Sequence, residues 1–477
     1  MKKNNGRAHL FIALDGTWCS ASARVKSPAA RPRFGNLSLM KRCLLGGLCA
    51  LVLASMFTAC SDGDHRPSGR DAGASGKGSS GAASGGAAGE QTGDSAGEAG
   101  ARPGRGGEPG AGAGPEGGRA NGGSGGGGGG EKADGGEAAS DTTFMLGADI
   151  SSVQEHDYTY IDVDGKEKPL LEILKNHGFN YVRLKTFVDP NAPYGYASSE
   201  NNCPGLPEAF GDRDHVVEFG QQIKAAGMGF LLNFHYSDVW ADPGNQIIPE
   251  AWRDAADITA LAALVKAYTK DVISTAIDAG ARPDMVQIGN EITPGLLKDV
   301  PGDDTDCWGN NPEPAPFGGS VASWVNLGTL LKAGIAGVRE VDPSIQIMLH
   351  IENTDDLGGM RSWVDNALKQ KVDFDVLGLS CYTRFQGIPG VWETTFKDAA
   401  QRYPKLKFVI AEYNPERTRA NLIMKNLPGG RGLGTFFWEP TRSGEWGPAM
   451  FDFSGGTATA NQEAFAEFDD LRPQLGL

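Results

Sequence analysis

The chain changes character at about Asp141: from there onward, short apolar runs alternate with longer segments whose apolar residues recur every three or four positions. The short runs are bounded by glycine and polar residues, which is the pattern of buried strands. Eight such runs occur in this part of the chain. The predicted strands cover residues 144–150, 181–184, 229–234, 285–288, 346–351, 376–380, 408–411 and 434–438.

The segments between these runs have the periodicity of amphipathic helices. In the clearest one, apolar residues at spacings of three and four form one stripe: Trp324, Leu327, Leu331, Ile335 and Val338. Further helices are predicted at about residues 170–176, 214–226, 256–279, 359–368, 395–402 and 417–427. Eight strand–helix units predict an α/β fold, the (β/α)8 or TIM barrel. The alternative, a doubly wound open sheet, lacks a glycine-rich dinucleotide turn after an early strand.

Composition separates a second region from the predicted barrel. Residues 61–140 hold 30 of the 69 glycines in the chain, together with Ala, Ser, Glu and Pro and almost no large apolar residues. Such a segment cannot bury enough surface to offset the entropy that is lost when it becomes ordered. We therefore predict a flexible tether at residues 61–142 and a barrel domain at residues 143–477.

Residues 1–60 form an N-terminal extension that ends in a targeting pattern. Lys41 and Arg42 follow Met40, and an apolar run then leads through small residues to Cys60. This order resembles a bacterial lipoprotein signal in which Cys60 carries the lipid, and it makes Met40 the expected start. A transmembrane anchor is the alternative, although the run is shorter than the ~20 residues that a bilayer requires. Both interpretations predict an exported protein, and the first predicts a lipid anchor in the outer membrane.

Charge and cysteine content narrow the possible partners and cofactors. A net charge of −15 and a pI of about 5.0 argue against nucleic acid as a partner. Cys203 and Cys307 lie in polar loops and could pair in an oxidising compartment, whereas Cys381 ends an apolar run and is expected to be a buried thiol. The sequence has no C-x-x-C or histidine-rich spacing to support a metal site, so no cofactor is expected. We expect a monomer.

In a (β/α)8 barrel, the functional site lies at the carboxyl ends of the strands. Chemically active side chains follow the predicted strands: Asp149, Arg183, His235, Asp238, Asn290, Glu291, His350, Glu352, Tyr382, Glu412, Trp438 and Glu439. Glu291 after the fourth strand and Glu412 after the seventh would face each other across the barrel mouth. Retaining cleavage of a glycosidic bond uses such a pair about 5–5.5 Å apart, one as the nucleophile and the other as acid and then base. The arrangement resembles the sites of clan A glycoside hydrolases.

Five local motifs narrow the resemblance to one family. They are GADIS at 147–151, YVRLK at 181–185, NFHYSDVWADP at 233–243, QIGNEI at 287–292 and FWEP at 437–440. Together, over about residues 145–455, they resemble glycoside hydrolase family 53, whose members are arabinogalactan endo-β-1,4-galactanases. The resemblance implies a clan A barrel, a retaining mechanism and β-1,4-galactan as the polysaccharide substrate.

The same resemblance implies roles for individual residues. Glu291 matches the acid/base and Glu412 the nucleophile. The predicted supporting residues are Arg183, Asn290, His350 and Tyr382, of which Asn290 is expected to donate to the sugar 2-hydroxyl. The predicted sugar contacts are Trp438 and Trp240 as aromatic platforms and Asp149, His235 and Asp238 as hydroxyl partners, with Trp308 and Trp446 as candidates for outer subsites.

The chain departs from the family pattern around the two glutamates. Tyr413-Asn414-Pro415 follows the nucleophile, Glu352 stands where Asp is usual, and residues 380–384 lack an aromatic–proline pair. The connection from Glu412 to Gly434 is short, so the sequence does not support the structural calcium site that some bacterial members build there.

Two other functions remain open at this point. One is another retaining clan A glycanase that cuts a mannan, a glucan or a branched galactan. The other is a surface glycan-binding barrel without activity, which is disfavoured because both glutamates are present.

Overall fold

The computed structural model describes residues 8–14, 17–23, 143–442 and 449–477. The chain divides into two compact units, Met1–Gly125 and Gly126–Leu477. In the first unit, strands Ala8–Leu14 and Thr17–Ala23 pair in antiparallel fashion. Cys60, the targeting pattern around it and the predicted tether lie outside the described residues.

Eight parallel strands close into a barrel in the second unit. They are β1 Met145–Asp149, β2 Tyr181–Thr186, β3 Gly229–Phe234, β4 Met285–Ile288, β5 Gln346–Ile351, β6 Val376–Tyr382, β7 Lys407–Asn414 and β8 Gly432–Trp438. Each strand pairs with the next one along the chain, and β8 pairs with β1 to complete the cylinder. The predicted barrel is therefore confirmed. The polar ends of β6 and β7 extend beyond the predicted apolar runs, because the backbone ladder continues into the site.

Within the described residues, an α-helix follows every barrel strand. The helices are α1 Leu170–Asn176, α2 Arg213–Ala225, α3 Ile258–Asp278, α4 Trp324–Val341, α5 Leu357–Lys369, α6 Pro389–Arg402, α7 Arg417–Lys425 and α8 Gln462–Leu475. Asp212, Asp257 and Asp356 each accept a backbone N–H bond at the start of a helix, which satisfies donors that have no partner within the helix. The prediction missed α8, although its buried residues recur at helical spacing.

Along the strands, the inward positions change from apolar to polar towards the barrel mouth. Near the amino ends, the interior is filled by Met145, Leu231, Met285, Met348, Val376, Val409, Ala411, Leu433 and Phe436. Two residues further along three of these strands lie Asn233, Gln287 and His350, all of them buried. Because alternate side chains of a strand share a face, these polar groups form the floor of the mouth.

Two long loops above the strands are joined covalently. Cys203, between β2 and α2, forms a disulfide with Cys307, between β4 and α4. This confirms the predicted pairing. Cys381 is a buried free thiol, also as predicted. Among the described residues, none of the helices combines the length and the apolar character that a bilayer crossing requires.

Candidate active site

A cavity of about 810 Å³ opens at the carboxyl ends of the strands. Its wall includes the two predicted catalytic carboxylates, Glu291 and Glu412, the two predicted aromatic platforms, Trp240 and Trp438, and the outer-subsite candidate Trp308. Trp446 lies in the gap between the described residues. The strand-end rule thus located the cavity correctly, and the two glutamates share one space.

Glu412 lies near the end of β7 and is buried between two hydrogen-bond donors. Its Oε1 atom accepts from Arg183 Nη1 at 2.8 Å, and its Oε2 atom accepts from the Tyr382 hydroxyl at 2.9 Å. Burial raises the pKa of Glu412 above its ordinary value, and Arg183 and Tyr382 oppose this rise. Because both partners stabilise the ionised carboxylate, Glu412 has the environment that a nucleophile needs.

Arg183 on β2 connects four of the site's polar groups. It is fully buried, and besides Glu412 it donates to Asp149 Oδ2 at 2.7 Å, Asn290 Oδ1 at 2.7 Å and Gln287 Oε1 at 3.1 Å. Burial by itself would lower the pKa of Arg183, but the charges of Glu412 and Asp149 outweigh it and the pKa is raised. Arg183 therefore remains a cation and holds the carboxylates of β1 and β7 in place.

Glu291 has a different environment from Glu412. It follows β4 with a φ of +45° and accepts from the Ser380 hydroxyl at 2.6 Å. Burial and the charge of Glu412 raise the pKa of Glu291 well above its ordinary value, and the Ser380 bond opposes that rise. Ser380 on β6 is the register partner of Glu412 on β7, so Glu291 bonds to a residue directly beside Glu412. These contacts favour a protonated Glu291 next to a charged Glu412.

His350 supports Glu291 through Ser380. Its Nε2 atom lies 2.9 Å from the Ser380 hydroxyl, and its Nδ1 atom lies 3.1 Å from Asn290 Oδ1 and 3.2 Å from Gln287 Nε2. Burial lowers the pKa of His350 well below its ordinary value, so the imidazole is neutral and carries one proton. His350 thereby links Ser380, the partner of Glu291, to Gln287 and Asn290.

Asn290 is fixed between the strands and the loop that follows β3. Its Oδ1 atom accepts from Arg183 and from Gln287 Nε2, the latter at 3.0 Å, and its Nδ2 atom donates to the carbonyl of Ala241 at 2.9 Å. The second N–H of the same amide is not used by that bond. Since Asn290 lines the cavity, this N–H can serve the sugar hydroxyl predicted from the sequence.

Two indole rings form the apolar part of the wall. Trp240 and Trp438 make an edge contact with centroids 5.7 Å apart. The buried ammonium of Lys185 lies 4.2 Å from the centroid of Trp240, a cation–π contact that fixes this ring. Burial lowers the pKa of Lys185. Both indoles are therefore held in position beside the two glutamates.

Three predicted sugar contacts lie behind the cavity wall. Asp149 accepts from Arg183 and Ser151, and His235 Nδ1 accepts from the N–H of Ala241. Asp238 accepts backbone N–H bonds that connect two loops, and burial raises its pKa to about 7. Because all three residues are buried and none of them lines the cavity, we correct the predicted substrate contacts to supporting roles.

The sequence prediction overlooked Gln287 and Ser380. Both are uncharged polar residues within otherwise apolar strands, and both lie at the centre of the hydrogen-bond network. Their polarity inside a strand was the available signal, because a buried amide or hydroxyl needs a partner.

Glu439, noted at the end of β8, bonds to Ser152, and burial raises its pKa to about 8.

No cluster of three or more His, Cys, Asp or Glu side chains that could hold a metal occurs in the described parts of the chain. The residues at the cavity are instead suited to proton transfer and nucleophilic attack by carboxylates.

Comparison with known proteins agrees with this geometry. The model of glycosyl hydrolase family 53 matches residues 145–422. An arabinogalactan endo-beta-1,4-galactanase of Humicola insolens is 30% identical over 334 residues, which are 62% of this chain and 88% of that protein. An endo-beta-1,4-galactanase of Bacillus subtilis strain 168 is 30% identical over 331 residues, which are 62% of this chain and 70% of that protein. The solved GH53 catalytic domain of Ignisphaera aggregans superposes with a TM-score of 0.57 at 26% identity, covering 70% of this chain and 98% of that one.

Proposed function

This chain belongs to glycosyl hydrolase family 53, and we propose that it is an endo-β-1,4-galactanase that cuts β-1,4-galactan and type I arabinogalactan with retention of configuration. The observation that carries the mechanism is the contrast between the two carboxylates in one cavity. Glu412 bonds to a guanidinium and a phenol, whereas Glu291 bonds to one neutral hydroxyl. The names of the similar proteins support the substrate.

The reaction proceeds in two displacements. In the first, Glu291 gives its proton to the glycosidic oxygen while a Glu412 oxygen forms a bond to C1, so the C1–O bond breaks and a galactosyl ester forms on Glu412. In the second, the Glu291 carboxylate takes a proton from water, and the water oxygen attacks C1 and releases Glu412. Both carboxyl groups return to their starting states, and neither step requires a metal or an organic cofactor.

The product profile from linear β-1,4-galactan tests this proposal. We expect a rapid fall in viscosity, a ladder of galacto-oligosaccharides, and a first product whose new reducing end is the β-anomer by NMR. Mannan and β-glucan serve as parallel substrates. Release of sugar from one of these and not from galactan would favour the other clan A glycanases, and a first product with the α-anomer would exclude retention.

The pH dependence of the reaction should respond to Ser380. Activity requires Glu291 to be protonated, so kcat/KM is lost as the pH rises through the pKa of Glu291. The Ser380 hydroxyl stabilises the ionised form and lowers this pKa. Ser380→Ala therefore raises it, and the basic limb of the kcat/KM profile moves to higher pH, with a change in maximal rate of no more than about tenfold. Ser362→Ala on the exposed face of α5 is the control. A basic limb that moves to lower pH would contradict the assigned acid.

We further propose that Cys60 anchors the protein in the cell envelope through a lipid. The basic residues, apolar run and small residues that precede this cysteine support the proposal. In cells fed radiolabelled palmitate, we expect label on the wild-type protein and on Cys49→Ala, and none on Cys60→Ala. Label that persists on Cys60→Ala would overturn it.

A further inference from the structure

The segment that carries Glu291 is bonded to the loop after β3 on one side. The side-chain amide of Gln246 donates to the carbonyl of Asp242 at 3.0 Å and to that of Asn290 at 2.8 Å. The Asp242 carboxylate is itself fixed in a turn, where its Oδ1 atom accepts from the backbone N–H of Gly244 at 2.6 Å. Asp242 and Glu291 both line the cavity, so a fixed carboxylate lies beside the assigned acid.

The same segment is bonded to the end of β5 on its other side. The backbone N–H of Ile292 donates to the carbonyl of His350 at 2.9 Å. The Thr293 hydroxyl donates to Glu352 Oε2 at 2.8 Å and accepts from the backbone N–H of Glu352 at 3.0 Å. Glu352 also lines the cavity. Because β3 and β5 are the neighbours of β4 in the barrel, Glu291 has one fixed carboxylate on each side.

Both flanking carboxylates act on the protonation of Glu291. Burial is the largest cause of its raised pKa and the charge of Glu412 is the next, and the charges of Asp242 and Glu352 add to them. In the proposed mechanism Glu412 loses its charge when it becomes an ester, whereas Asp242 and Glu352 take no part in a bond to the sugar. Their effect on Glu291 therefore persists through both displacements.

Other titratable or charged groups surround this part of the mouth. Within the described residues they are Arg183, His350, Asp355, Asp356, Tyr382 and Arg442. Burial lowers the pKa of His350 and raises that of Tyr382, in both cases well beyond the ordinary value, so these two side chains are uncharged. Arg183 is paired with Asp149 and Glu412. The charge balance around Glu291 is therefore set by carboxylates and two guanidinium groups.

Glu352 carries its charge at the pH where Glu291 loses its proton. Burial raises the pKa of Glu352, the Thr293 hydroxyl opposes the rise, and the two aspartates that follow β5 add to it. The pKa of Glu291 is raised further, because Glu412 acts on it in addition to burial. As the pH rises, Glu352 therefore ionises before Glu291. The same order holds for Asp242, whose pKa is raised by burial and lowered by backbone N–H groups.

Building on the proposed galactanase function, we propose that Asp242 and Glu352 are positioning residues whose charges keep the proton on Glu291 until it passes to the glycosidic oxygen. Two fixed negative charges beside a carboxyl group disfavour its ionised form. The same charges keep the Glu291 carboxylate a strong enough base to take a proton from water in the second displacement. The pair thereby sets the upper pH limit of the reaction.

The test is the pH profile of kcat/KM on linear galactan. Activity is lost as the pH rises through the pKa of Glu291, so removing a neighbouring negative charge moves the basic limb to lower pH. For Glu352→Gln and for Asp242→Asn we expect a shift of about half a pH unit or more, opposite in direction to that of Ser380→Ala. Glu352→Gln keeps an oxygen that can accept from Thr293, so it removes the charge and not the bond. Glu352→Asp keeps the charge, and its basic limb should stay within about 0.2 pH units of the wild type.

A substrate that needs no acid shows whether the effect passes through Glu291. The first displacement on 2,4-dinitrophenyl β-galactobioside requires no proton for the leaving group, so the basic limb of kcat/KM on this substrate should not move in Glu352→Gln. The acid limb on galactan, which reports Glu412, should also stay in place. After burial, Arg183 and Asp149 act most strongly on the pKa of Glu412, and neither is changed.

Controls separate this inference from the function on which it rests. Asp373→Asn, an exposed carboxylate between α5 and the amino end of β6, should leave the profile unchanged, and the thermal midpoint of each variant reports its folding. If Glu352→Gln does not fold, Asp242→Asn decides the test. A basic limb that stays in place or moves to higher pH, or an equal shift on the dinitrophenyl substrate, would overturn the inference while the function stands. A wild-type enzyme that does not cleave galactan would overturn the galactanase function and the inference with it.

Discussion

Glu412→Ala is expected to lower kcat on β-1,4-galactan by at least about 10⁴-fold, the scale seen when a covalent nucleophile is removed. The substitution removes the atom that bonds to C1, and it leaves Arg183 and Tyr382 directed at an empty position. Reducing-end release under saturating substrate measures the effect. Glu218→Ala, an exposed carboxylate on α2, is the matched control and should retain wild-type activity.

Rescue by azide can show that Glu412→Ala loses activity because the nucleophile is missing. In Glu412→Ala a small anion can occupy the vacated position and attack C1 of an activated substrate from the same side as the carboxylate. The product should then be the α-galactosyl azide, because only one displacement has taken place. A β-configured azide, or a turnover rate close to that of the wild type, would remove Glu412 from the assigned role.

Glu291→Gln should produce the second large loss and a different kinetic signature. On galactan, whose leaving group needs a proton, we expect kcat to fall by at least about 10³-fold. On 2,4-dinitrophenyl β-galactobioside the leaving group needs no proton, so the first displacement should remain fast and the second should become slow. A burst of about one dinitrophenolate per enzyme should follow, and mass spectrometry should find the galactobiosyl group on Glu412.

Two results would contradict this role for Glu291. One is an equal loss on galactan and on the activated substrate, since an acid is required only for the former. The other concerns Glu291→Gln with azide added. Azide should attack the covalent intermediate on Glu412 from the β face, so an azide product of α configuration would contradict the role. Asn290, which precedes Glu291, bonds to Arg183 and Ala241 and not to Glu291, so we expect it to stay in place in this variant.

Much of the fold follows from the sequence because apolar runs coincide with strands. The predicted limits of β3, β4 and β5 match the structure, since glycine or polar residues bound each of these runs. β6 and β7 were predicted too short, because Tyr382 and Asn414 are polar but still belong to the ladder. Polarity marks the end of the apolar core, and in a barrel the strand itself continues into the active site.

The sequence predicted where the candidate site lies and which two glutamates it contains. What the sequence did not show was which side of the wall each polar residue faces. Asp149, His235 and Asp238 all follow strands, yet their contacts run to Arg183, Ala241 and neighbouring loops. Spacing along one strand places a residue at the mouth, but its partners come from other strands and loops that are distant in the sequence.

Arg183 forms salt bridges with both Asp149 and Glu412, and this explains what the buried Asp149 can contribute during turnover. In the proposed mechanism Glu412 becomes an ester and loses its negative charge, and a guanidinium paired with Glu412 alone would then be an isolated cation in the protein interior. The second salt bridge, from Arg183 to Asp149, persists through that stage. If the reaction follows this mechanism, Asp149 is the counter-ion that stays paired with Arg183 while Glu412 is esterified, so no uncompensated charge is left inside the barrel.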